Sequence, residues 1–133
     1  MRKLSLLSCC AFLFHVALAI AQPATPPSAS FPGAVGWAAQ TPGGRGGKII
    51  RVTNLNADGP GSFREAIEAK GPRIVVFEVG GVIDLAKTRL AVTEPFLTIA
   101  GQTAPAPGIT LIRGGIVVST HDVVVRHIAV RAG

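Results

Sequence analysis

Residues 73–131 read RIVVFEVGGVIDLAKTRLAVTEPFLTIAGQTAPAPGITLIRGGIVVSTHDVVVRHIAVR. Short β-prone runs alternate with turn chemistry along this whole stretch. Arg73–Val79 gives way to Gly80-Gly81, and Val82–Leu85 follows. Leu90–Thr93 and Phe96–Ala100 flank Glu94-Pro95. Ile109–Arg113 precedes Gly114-Gly115, and Ile116–Ser119 precedes Thr120-His121. Runs this short, bounded by Gly, Pro and Asp, predict an all-β fold. Within them the apolar residues recur with period two. Val75, Phe77 and Val79 alternate with Val76 and Glu78, Leu97 and Ile99 flank Thr98, and Ile109 and Leu111 flank Thr110, so each strand is expected to turn one apolar face inward. Asp122–Arg131 breaks the alternation at Arg126-His127, as two short strands meeting at a bend would.

A longer repeat overlies the short one. Val75-Val76-Phe77, Leu97-Thr98-Ile99 and Val123-Val124-Val125 are comparable triplets at a loose spacing of roughly 20–30 residues, the length of one coil of a parallel β-helix. Stacked coils satisfy one another's backbone hydrogen bonds, which removes most open strand edges. A β-sandwich fits the strand pattern too, but favours tight Asn-Gly or Asp-Gly hairpins between strands. Asp58-Gly59 is the single such pair, and it precedes a helix.

On the N-terminal side, Lys48–Thr53 (KIIRVT) reads as a strand and Asn54–Gly61 (NLNADGPG) as turns. A helix is expected to start at Ser62, with Glu65 completing a capping box, and to end at Gly71-Pro72. Phe63, Ala66 and Ile67 share one face, while Arg64, Glu65 and Glu68 face out. About two turns of helix do not hold together alone in water, so the Phe63/Ile67 face must pack on something apolar. The glycine-rich segment 31–47 (FPGAVGWAAQTPGGRGG) lacks the Ser or Thr that a phosphate loop needs after its Gly-Lys pair, since Ile49 follows Lys48. Tight turns are the expectation there.

Residues 1–21 have the build of a secretory signal peptide: Arg2 and Lys3, an apolar run, then Ala19-Ile20-Ala21. A membrane anchor fits less well, because the run is short and contains His15, and so does a lipoprotein signal, because too few apolar residues precede Cys9 or Cys10. Residues 22–30 (QPATPPSAS) form a Pro/Ala/Ser linker, and 31–133 a single β domain. Cleavage would remove both cysteines, so no disulfide is expected. It would also remove two of 13 basic residues and none of the 7 acidic ones, lowering the net charge from +6 to +4. The remaining cations, from Arg45 and Lys48 through Arg73 to Arg131, are scattered and not interleaved with aromatics. The chain is therefore not expected to bind nucleic acid, nor a membrane once the signal is cleaved. A solvated surface with a slight positive excess is the plain reading.

The blocks GGRGGK (Gly43–Lys48), GPGSFREAIEAKGPRIVVFEVGG (Gly59–Gly81) and TIAGQTAP (Thr98–Pro105), in this order, resemble the N-terminal part of secreted bacterial pectate lyase-like proteins, and the likeness extends over nearly all of Phe31–Gly133. The resemblance implies a right-handed parallel β-helix capped at its N-terminal end by the Ser62–Ala69 helix. It also implies an acidic polysaccharide such as polygalacturonate as substrate, cleaved by β-elimination. That chemistry calls for a divalent cation, typically Ca²⁺, to neutralise the uronate carboxylate, and for a base, usually an arginine in this family.

No residue of this chain carries over as catalytic or as a Ca²⁺ ligand. Asp58, Glu65, Glu68, Glu78, Asp84, Glu94 and Asp122 show no paired spacing, and the family's acidic ligands and basic arginine come from later coils. The chain is thus expected to be an inactive N-terminal fragment of such a protein. The alternative is a non-catalytic β-helical carbohydrate-binding or adhesion module. Among single residues, Asp122 is assigned a turn role, Arg126 and Arg131 structural pairing, and His121 and His127 no zinc site. Trp37 is expected to cover the edge of the core, with sugar stacking as its functional alternative.

Overall fold

The computed structural model describes residues 28–133. The signal peptide assigned to 1–21 lies outside them, as does the linker up to residue 27. Among the described residues there are nine strands: β1 (Lys48–Val52), β2 (Arg73–Phe77), β3 (Gly81–Asp84), β4 (Arg89–Val92), β5 (Leu97–Ala100), β6 (Ile109–Ile112), β7 (Gly115–Val118), β8 (Val123–Arg126) and β9 (Ile128–Arg131). One helix, α1 (Phe63–Glu68), and a 3-10 turn at Gly101–Thr103 complete the elements. The bend expected at Arg126-His127 is real. β8 ends at Arg126, and His127 takes a left-handed φ of 55° before β9 begins.

The strands form three sheets in the orders β1-β2-β5-β8, β3-β6-β9 and β4-β7. From β2 onward the chain visits the first, second and third sheets in strict rotation. Every strand pairing is parallel. The hairpin-built sandwich is therefore excluded, and the fold is all-β and parallel. The triplet spacing needs one correction. Leu97 pairs with Arg73, not with Val75, whereas Leu97 does pair with Val123. Because the displacement is two residues, side-chain parity survives and the inward set is unchanged. Val75 stands beside Ile99, and Ile83 beside Leu111.

These inward rows meet in one core containing Val52, Val75, Phe77, Ile83, Leu90, Val92, Leu97, Ile99 and Leu111. Burying each such side chain contributes about 1.5–3 kcal/mol. On the last strands the inward-facing Val118, Val125 and Val130 stay exposed.

Helix α1 begins where its Ser62 cap predicts but ends at Glu68, short of the expected stop at Gly71-Pro72. The Glu65 amide donates to Ser62 Oγ at 3.3 Å. The return half of the box is shifted by one residue, since Glu65 Oε2 accepts from the Gly61 amide at 2.6 Å and not from Ser62. Phe63, Ala66 and Ile67 are buried, and the helix packs on β1 and β4, the first strands of the first and third sheets. The Phe63 ring meets Phe77 at 5.2 Å, tilted by 55°, within the favoured range for aromatic pairs.

Arg73 departs from the surface assignment given to the basic residues: it is 0% exposed. Its position at the start of β2 has the parity of Val75 and Phe77, so it points inward beneath α1. The guanidinium donates to the carbonyl oxygens of Ile67 (2.5 Å), Gly71 (3.1 Å), Pro95 (3.2 Å) and Glu94 (3.4 and 3.5 Å). It thereby satisfies a carbonyl at the end of α1, which an α-helix leaves without an internal partner, and ties the helix to the turn before β5. Burial lowers its pKa, with the Glu94 charge working the other way.

Over this region runs the glycine-rich segment. A Cβ on Gly44 would lie 1.8 Å from the Arg73 carbonyl oxygen, and one on Gly47 2.1 Å from that of Pro72. Only glycine permits this approach.

Candidate functional site

The third sheet and the turns leading into it carry the most distinctive surface. β3 ends at Asp84, and the chain turns through Ala86 and Lys87, both left-handed (φ 49° and 66°), before β4. One layer on, β6 ends at Ile112 and turns through Arg113 (φ 50°) and Gly114 into β7. The Lys87 amide donates to the Arg113 carbonyl at 2.6 Å, so the two turns stack directly. A Cβ on Gly114 would sit 2.2 Å from the Thr88 carbonyl oxygen, which explains the glycine there.

Asp84 organises the corner. It accepts Ala86 N–H at 2.9 Å, and Arg113 Nε at 2.8 and 3.0 Å, with Arg113 Nη2 closing the fork. A bidentate fork of this kind fixes orientation as well as charge. Arg113, and then the Ala86 amide, hold the Asp84 carboxyl below the usual carboxylate range, and Asp84 in turn raises the pKa of Arg113.

A group with a depressed folded-state pKa stabilises the fold above its ordinary value of about 3.9 and loses that contribution as pH falls through the depressed value. Asp84→Asn is thus expected to unfold at lower urea than the wild type at pH 7, with the gap closing on acidification below about pH 4. Urea titrations at the two pH values check this, and an equal gap at both would show that the carboxylate charge is not what matters.

Beside the stacked turns opens a cleft of about 500 Å³, lined among others by Lys87, Thr88, Arg89, Arg113, Gly114 and Ile116. Lys87 and Arg89 are exposed and make no ion pair among the described residues. Arg64 braces the rim from α1, donating to Thr88 Oγ1 at 2.8 Å and the Arg89 carbonyl at 3.3 Å. The cleft offers positive charge and amphipathic stems, which suits a carboxylate-bearing ligand.

Among the described residues, neither arginine with a shifted pKa is placed as the base of a β-elimination. Asp84 holds Arg113 more firmly in its protonated form, so it is less available to accept a proton. Arg73 is shifted toward easier deprotonation, but it is sealed under α1, with both Nη atoms donating to carbonyl oxygens and the buried Nε left without a partner. Ca²⁺ does not fit the donor set either. Glu78 is paired with Arg51, Asp84 with Arg113 and Asp122 with His121. Among the described residues, no three His, Cys, Asp or Glu side chains converge.

The other candidates are dispersed. Asp122 sits in a turn at φ 55°, accepting from His121 Nδ1 at 2.8 Å. The His121 ring stands edge-on to Phe96 at 5.4 Å. Arg126 lies 4.4 Å over the Phe31 ring, a cation–π contact. Arg131 is exposed at the end of β9. Trp37 does not cover the core, for it is 99% exposed. The cleft itself was not anticipated. The one signal for it was the Lys87/Arg89 pair flanking a turn, which gains a partner in Arg113 only through stacking.

No family model matches the chain. It is similar to proteins named probable pectate lyase C from several fungi. It is 43% identical to that of Aspergillus flavus over 130 residues (97% of this chain, 28% of the relative). It is 50% identical to that of Aspergillus terreus over 105 residues (78% and 24%). It is 46% identical to that of Neosartorya fischeri over 119 residues (89% and 28%). The chain thus spans roughly a quarter of the length of these relatives. Their fungal origin lends no support to the bacterial attribution, while the pectate lyase-like resemblance itself is supported.

Proposed function

We propose that this chain is the N-terminal portion of a secreted pectate lyase-like protein. Its three parallel sheets are the first coils of a right-handed parallel β-helix, α1 is the lid over the first coil, and acidic polysaccharide of the polygalacturonate class is the substrate. Identity of 43–50% with proteins named probable pectate lyase C, over most of the chain, carries this reading. The rotation of the chain through three parallel sheets agrees with it, as do the inward-facing Val118, Val125 and Val130, which a further coil would cover. Among the described residues no helix is long and apolar enough to cross a membrane, which is compatible with secretion. Within the whole protein this part supplies fold and polyanion contact, while elimination and any Ca²⁺ binding belong to coils beyond it.

The chain incubated with polygalacturonate and Ca²⁺ is accordingly expected to form no unsaturated, near-ultraviolet-absorbing product. Steady Ca²⁺-dependent growth of that absorbance would refute the division of labour. Binding is expected nonetheless. The double variant Lys87→Glu/Arg89→Glu should weaken affinity for oligogalacturonate by about tenfold or more, and the wild-type affinity should fall steeply with salt. Calorimetric titration at low and high salt measures both. A second reading, carbohydrate binding without any turnover, is favoured by the same cleft, because it needs only the cations in place. Activity in a protein extended past residue 133 separates the two.

A further inference from the structure

We propose that Trp37 is a sugar-stacking residue, presenting its indole to the apolar face of a uronate ring. The inference rests on the acidic-polysaccharide reading for the nature of the sugar.

Residues 30–39 form a closed loop whose ends are locked together. The Ser30 amide donates to the Ala39 carbonyl at 2.8 Å and Ser30 Oγ to the same oxygen at 3.0 Å. Inside the loop, Ala34 N–H reaches the Phe31 carbonyl at 3.0 Å and Ala39 N–H that of Gly36 at 3.1 Å. The loop is also anchored from outside. Arg45 donates to the Ala29 carbonyl at 2.7 Å, and Phe31 lies under the Arg126 guanidinium. Its base packs along β8, where Ser30, Phe31 and Thr41 line a small hollow with Val123, Val124 and Val125.

All this fixes the backbone and leaves two apolar side chains of the loop outside, with Trp37 99% and Val35 89% exposed. A tryptophan that packs on nothing among the described residues and sits on a pinned loop binds with little ordering cost, because the loop is already in its bound shape. The indole is amphipathic, with a flat π face and an N–H at its edge. A pyranose matches this with a C–H-lined face and a hydroxyl rim. Arg126, at the end of β8 and held over the Phe31 ring at the foot of the loop, supplies a cation for the carboxylate of a uronate, which favours an acidic sugar over a neutral one.

Trp37 is the single tryptophan and the chain has no tyrosine, so tryptophan emission reports this ring alone. Titrating the full chain with oligogalacturonate is expected to shift the emission to the blue and quench it saturably, with the midpoint matching the calorimetric affinity. Trp37→Ala should lower that affinity by about tenfold with the far-ultraviolet circular dichroism unchanged, and Trp37→Phe should recover most of it. Binding that survives in Trp37→Ala with wild-type strength, or an emission unmoved by saturating ligand, overturns the inference. So does a blue shift that grows with protein concentration in the absence of sugar, which would make a second copy the occupant. An equal response to neutral galacto-oligosaccharide overturns the uronate assignment. If the wild type binds no oligogalacturonate at all, the polysaccharide reading fails. If binding persists in Trp37→Ala and is lost in Lys87→Glu/Arg89→Glu, that reading stands and the role of Trp37 falls.

Discussion

Arg73→Ala is expected to destabilise the fold by at least about 4 kcal/mol, a large share of the 5–15 kcal/mol typical of a domain. Two losses combine. Truncation empties a core position that is fully shielded from solvent, and large-to-small changes at such sites cost about 2–5 kcal/mol. The change also strips the carbonyls of Ile67, Gly71, Glu94 and Pro95 of their donor. A buried polar group left without a partner costs about 1–3 kcal/mol. Arg73→Met separates the two contributions, because methionine refills much of the volume without serving the carbonyls. It should recover only part of the loss. Arg73→Lys keeps the charge but not the planar fork, and should fall between methionine and the wild type. The urea midpoint of each variant decides the order. A cost below about 1 kcal/mol for alanine would mean that water or a neighbouring amide replaces the guanidinium, and Arg73 would not then be the tie between α1 and the β5 turn.

Phe63→Ala should cost about 3–5 kcal/mol. Phe63 is the first residue of α1, is shielded from solvent, and holds the helix on the Phe77 ring. A helix of six residues has too little internal cooperativity to stay formed once its anchor is gone. The loss should therefore spread beyond one side chain. α1 would lift from β1 and β4, exposing the β1 end of the core to other molecules. Size-exclusion chromatography is expected to show material moving toward higher mass, together with the lowered urea midpoint. Phe63→Leu keeps an apolar anchor and should cost under about 1.5 kcal/mol with no change in elution. A monomeric, near-wild-type Phe63→Ala would show that α1 does not seal the core.

Much of the architecture was legible because its signals are local. Strand positions, the inward parity of Val75, Phe77, Leu97, Ile99, Ile109 and Leu111, the Ser62 cap and the bend before His127 all follow from periods of two or from neighbours a few residues apart. Arg73 was legible in principle, since the same parity that turns Val75 inward turns Arg73 inward. Charge argued against that placement, and charge alone cannot say that carbonyl oxygens wait inside. The candidate cleft was barely legible. Arg113 is separated from Lys87 and Arg89 by more than twenty residues, and nothing local indicates that two turns will stack.

Sequence alone determined which segments are strands, which face of each is apolar, and where α1 begins, because backbone geometry and side-chain alternation act within a few residues. Tertiary structure decided the pairing of Leu97 with Arg73, the burial of that arginine, the exposure of Trp37 and the meeting of Lys87, Arg89 and Arg113 at one cleft. Those outcomes depend on turn lengths and stacking register, which fix distances between residues a full layer apart and leave no periodic trace in the chain.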